Sequence, residues 1–112
     1  MHFCRVDDYL SVSRITGGQD NILQIRLSMM EPDTVDVDAR PLAGFSTTLL
    51  DENKVVSAVM EGLRQANAEL GTSYWISHIR FVANDSKPEK TYSLLTQALL
   101  GQYYAGNPSL GA

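Results

Sequence analysis

Between Asp51 and Gly71 the apolar residues Val55, Val56, Val59, Leu63, Ala66 and Leu70 recur at spacings of one, three and four. That period gathers them on one side of an α-helix and leaves the other side polar. Asp51 is a suitable N-cap, Glu52 suits the positive end of the helix dipole, and Gly71 stands where a C′ glycine ends a helix. A helix is therefore expected over 52–70. With only one apolar stripe, it must pack on a partner surface that the rest of the chain supplies.

The residues before it supply strands. In 22–29, Leu23, Ile25, Leu27 and Met29 alternate with Gln24, Arg26 and Ser28, the period-two signature of a strand with one buried face. Residues 9–15 are rich in β-branched and small polar side chains, and Thr16–Asn21, with Gly17 and Gly18, reads as a hairpin connection. Val35 and Val37 alternate with Asp36 and Asp38, which suggests a short strand at 34–39. Phe45, Thr47 and Leu49 suggest a further extended piece at 44–49. After the helix, 74–83 is strongly strand-like.

A second helix is expected at 87–104, where Tyr92, Leu95, Leu99 and Tyr103 share a face. Ser86-Lys87-Pro88-Glu89 reads as its capping box, with Pro88 in the first turn needing no donor. The order is β-β-(β)-α-β-α. It implies an α+β fold: an antiparallel sheet of three to four strands with both helices on one face.

The chain of 112 residues is one domain's worth, expected over 1–105, with the turn-forming segment from Gly106 onward as a flexible tail. Its 44% hydrophobic and 20% charged residues are those of an ordinary globular protein. No apolar run approaches the ~18 residues of a membrane helix. The single cysteine, Cys4, excludes an internal disulfide and a multi-cysteine zinc site. With no secretory signal at its start, the chain is expected in a reducing cytoplasm. A net charge of −4 with nine dispersed basic residues argues against nucleic acid as the main partner.

The run Ala58-Val59-Met60-Glu61-Gly62-Leu63, followed by Gly71, Tyr74 and the Ile79-Arg80-Phe81 strand, resembles the fourth domain of bacterial translation elongation factor G. That domain has the ribosomal protein S5 domain 2-like fold. The resemblance covers about residues 45–100 and implies a topology and, by analogy, a translation-associated role. The glycine-rich signature that opens the family's domain is absent, so no functional residue is carried over.

Chemistry-bearing groups are few. Asp33, Asp36 and Asp38, near Glu31, form the densest carboxylate group, but no calcium-loop register accompanies them. They read as a solvated strand face or a charged sheet edge, and no metal or cofactor is expected. Cys4 has only His2 or His78 as a conceivable base. On the last strand, alternation assigns Trp75, Ile79, Phe81 and Ala83 to the helix side. It leaves Tyr74, Ile76, His78, Arg80 and Val82 on the open side, where Gln24 and Arg26 join them.

That open face supplies the candidate interface or ligand residues Ile76, His78, Arg80, Val82, Gln24 and Arg26. The expected function is a small non-catalytic interaction or oligomerisation module. Its expected partner is a second copy, in a homodimer closed over an apolar strip around Ile76, or another protein. The alternatives are a small enzyme whose site, built from His78, Arg80, Asp36 and Asp38, forms between subunits, and the translation-associated module.

Overall fold

The structure is a computed structural model, and it describes residues 1–16, 19–40, 50–82 and 88–111. The elements are β1 (His2–Val6), β2 (Tyr9–Thr16), β3 (Gln19–Ser28), β4 (Asp36–Arg40), α1 (Glu52–Leu70), β5 (Trp75–Val82), α2 (Thr91–Tyr104) and a 3-10 turn, Pro108–Leu110. The fold is α+β. Among the described residues the strands form one sheet in the order β1-β2-β3-β5-β4.

The first three strands are a meander. β2 and β3 pair from Leu10↔Ile25 to Thr16↔Gln19, the hairpin expected from Gly17-Gly18, two residues outside those described. β1 adds an edge that carries no alternation strong enough to announce it. β5 lies antiparallel to β3, and β4 lies parallel to β5, with Asp36↔His78 and Asp38↔Arg80 in register. The sheet is thus mixed, not wholly antiparallel. A parallel neighbour needs a long crossover, and α1 provides it between β4 and β5.

α1 spans the expected residues. Asp51 accepts a hydrogen bond from the Lys54 amide at 3.2 Å, and Gly71 takes the left-handed conformation, φ 67°, that closes the helix. α2 begins later than expected. Ser86 and Lys87 lie outside the described residues, and the N-cap is Lys90, which makes no side-chain cap. Glu89, buried, accepts from the Asp51 amide at 3.1 Å, tying the start of α2 to the start of α1. The expected strand at 44–49 also lies outside the described residues.

Both helices cover one side of the sheet. Leu10 and Val12 of β2, Leu23 and Ile25 of β3, and Ile79 and Phe81 of β5 meet Val55, Val59, Leu63, Tyr92, Leu95 and Leu99 in one core. Leu110 belongs to the same core, so the segment expected to fray is docked through its 3-10 turn.

One expectation about the sheet is overturned. Ile76 is 1% exposed and packs in the core. The pairing of β3 with β5 shifts between Arg26↔His78 and Leu27↔Ile76, so Ser77 is an extra residue on β5. Such a bulge reverses the facing of everything on one side of it. Ile76 and Tyr74 therefore turn to the helix side, where Tyr74 packs edge-on against Tyr103, and Trp75 turns away from it.

Candidate functional site

Beyond the bulge the alternation runs as expected, and His78, Arg80 and Val82 face away from the helices. Gln24 and Arg26 of β3 reach the same face, because Gln24↔Arg80 and Arg26↔His78 are cross-strand pairs. β2 adds Tyr9 and Ser11, and β4 adds Asp36 and Asp38. No described element covers this side of the sheet. Of the candidate residues, five belong to the open face and Ile76 does not, so the apolar strip expected around Ile76 is absent.

Tyr9 stands at the centre of the cluster. The Arg80 guanidinium carbon lies 4.0 Å from its ring centroid and that of Arg26 5.9 Å, both within the range of a cation–π contact. Arg80 Nε donates to Gln24 Oε1, and Gln24 Nε2 donates to Ser11 Oγ at 3.4 Å. The His78 ring stands edge-on to Tyr9 at 6.3 Å. These contacts hold the Arg80 side chain in one direction, over a ring and against an amide, rather than leaving it to sample solvent.

His78 links the cluster to β4. Its Nε2 lies 3.2 Å from Asp36 Oδ2, and its Nδ1 lies 2.8 Å from Ser77 Oγ. In the tautomer whose Nε2–H faces the Asp36 carboxylate, Nδ1 accepts from the serine hydroxyl. The sequence places His78 and Asp36 forty-two residues apart; the parallel pairing of β4 with β5 brings them together. Ser77 was not legible as a participant, because its place depends on the bulge. Its Oγ also sits 3.4 Å from the Arg26 carbonyl oxygen.

Other sequence candidates stay apart. Cys4 is on β1, and two strands separate it from His78 on β5, a distance of roughly 14 Å at the usual strand spacing. His2 pairs across with Ser13 and Cys4 with Ser11, and no hydrogen bond joins either histidine to the thiol among the described residues. Glu31 and Asp33 are exposed in the loop before β4. A cavity of about 730 Å³ lies on the other side of the molecule, between the starts of α1 and α2, lined by Asp51, Lys54, Ser57, Pro88, Glu89 and Lys90.

The arrangement is a flat polar surface with a fixed guanidinium, a second one beside it and a histidine–carboxylate pair at its β4 side. It can bind through directed charge-assisted hydrogen bonds. No helix of the described residues is long and apolar enough to cross a membrane. In comparisons with known proteins, no family model, no curated protein and no solved structure matches the chain.

Proposed function

We propose that the protein is a non-catalytic interaction module whose recognition surface is the open face of the sheet. The carrying observation is the ordering of that face. Three strands contribute Tyr9, Gln24 and Arg80 to one connected set of contacts on a surface that no described element covers. Polar side chains on a purely solvated face have no need of such mutual support, whereas a binding surface gains from it because less entropy is lost on association.

A two-fold homodimer is the simplest use of the face. Sedimentation velocity at micromolar concentration tests it. The expected species has about twice the 12.4 kDa of the chain. Val82→Asp, on the open face, should return it to the monomer, and Leu94→Asp, exposed on α2, should not. Association that survives Val82→Asp and fails with Leu94→Asp would move the interface to the helices and overturn the reading.

One observation favours a second reading. The chain Ser77 Oγ–His78–Asp36 has the hydrogen-bond order of a hydrolytic triad, with the two ring nitrogens exchanged. Hydrolysis of an activated ester that is lost in Ser77→Ala and in His78→Gln would replace the binding reading with a catalytic one.

A further inference from the structure

Arg26 and Arg80 are the unusual pair in this molecule. Both are half-buried, and both guanidinium groups approach one tyrosine ring. Arg80 donates to a neutral amide, Gln24, and Arg26 has the Tyr9 ring as its contact. Neither is ion-paired among the described residues, unlike Arg64, which pairs with Glu61. Two like charges around one ring repel, and partial burial has cost each some hydration. The face of the ring offsets a part of that cost.

We infer that Arg26, Arg80 and Tyr9 form a carboxylate-binding site that receives an exposed aspartate or glutamate side chain of a partner protein. The inference rests on the open face being the recognition surface and names the chemistry of its partner. Cross-strand register sets the two arginines diagonally on neighbouring strands, about 7–8 Å apart at their Cα atoms, a span that two long side chains close around one anion. The guanidinium fork matches the two oxygens of a carboxylate. Gln24 and Tyr9 fix Arg80 before the ligand arrives, so little freedom remains to be lost.

Shape and flanking charge select the occupant. The arginines converge on a sheet face that no described element covers, so the anion they meet is one presented by a larger body. Asp36 and Asp38 border the site along β4. A polyphosphate lying across the sheet would run over both acids, whereas a single carboxylate between β3 and β5 avoids them.

Nuclear magnetic resonance of the arginine Nε–Hε groups in the full chain tests the site. The probes are a capped Gly-Glu-Gly peptide, its Gly-Gln-Gly counterpart, and inorganic phosphate. The glutamate peptide should shift the Arg26 and Arg80 signals saturably, and the glutamine peptide should not. Arg80→Gln and Arg26→Gln, each verified as folded by its unfolding midpoint, should weaken glutamate-peptide binding by about tenfold or more. Equal response to both peptides, tighter binding of phosphate than of the glutamate peptide, or unchanged affinity in both folded variants would overturn the site. The carboxylate site can fail in this titration while association sensitive to Val82→Asp persists in sedimentation, so the two readings fall separately.

Discussion

Gly62 shows how much one residue can decide. It lies on the buried side of α1, where a Cβ atom would come within 2.4 Å of the Ser93 carbonyl oxygen and 2.9 Å of Thr96 Cβ. The first contact is with backbone, so it cannot be relieved by turning a side chain. A glycine inside a helix costs about 1 kcal/mol relative to alanine, and here that cost admits the close approach of α2. Gly62→Ala should therefore destabilise the protein by about 1–3 kcal/mol despite its better helix propensity. Urea denaturation checks this; a stabilised variant would mean the helices do not approach so closely. The neighbouring Glu61 makes the contrast. Arg64, then Gln65, hydrogen-bonds its carboxylate and holds it down to about 2, yet the group is exposed and little stability follows. In the sequence, Gly62 is legible only as part of a likeness to another family's helix. Its physical reason is a contact with residues thirty positions away.

Among the elements, those set by local chemistry were legible and those set by pairing were not. α1 carries its own stripe and both its caps within twenty-one residues, so its bounds follow from the sequence. The β2–β3 hairpin carries its own turn. β1 has no comparable local signal: it is short, with a mixed exposure pattern, and β2 defines it. The place of β4 beside β5 depends on a crossover, as does the meeting of Asp36 with His78. α2 starts at Thr91, later than its apolar pattern suggests, and Glu89 accepts from the amide of Asp51, thirty-eight residues away, a contact with no local signal; Ser86, the expected cap, lies outside the described residues. The bulge at Ser77 had the largest effect on the site. Its signal, a lone serine between Ile76 and His78, is no different from ordinary alternation. Ile76→Ala should cost about 2–5 kcal/mol, the range for a buried aliphatic residue, where an interface residue would cost almost none. Deleting Ser77 should cost less, because Leu27↔Ile76 and Arg26↔His78 then become consecutive pairs of a regular ladder that keeps Ile76 on the helix side and His78 beside Asp36. Denaturation midpoints of the two variants measure this, and a deletion variant less stable than Ile76→Ala would refute the bulge.

At the scale of the whole molecule, the two ends of the chain close the helix side of the sheet together. Arg5 of β1 donates through Nε to the Leu110 carbonyl oxygen at 3.2 Å, a contact that spans 105 positions. Leu110 is buried in the same core as Leu10, and the 3-10 turn that carries it is held by Asn107, which accepts from the Ser109 amide at 2.9 Å. Small residues and turn formers around it suggested a frayed terminus, because composition records flexibility of the backbone and not the docking of one side chain. An edge strand held on one side only is a weak point of any sheet, and here the C-terminal turn braces it against the core. Truncation after Asn107 removes Leu110 and leaves the Arg5 guanidinium without that acceptor. The loss of one buried leucine predicts about 2–5 kcal/mol of destabilisation. Because the lost contacts lie at the β1 edge, amide exchange should accelerate first in His2–Val6 and leave β3 and β5 protected up to global unfolding. The open face, on the far side of the sheet, should keep its Arg80–Tyr9 geometry, so binding of a carboxylate probe by the truncated chain should match the parent below its unfolding transition. Uniform acceleration of exchange over all five strands would show instead that the ends stabilise the sheet as one unit and that β1 has no separate fate.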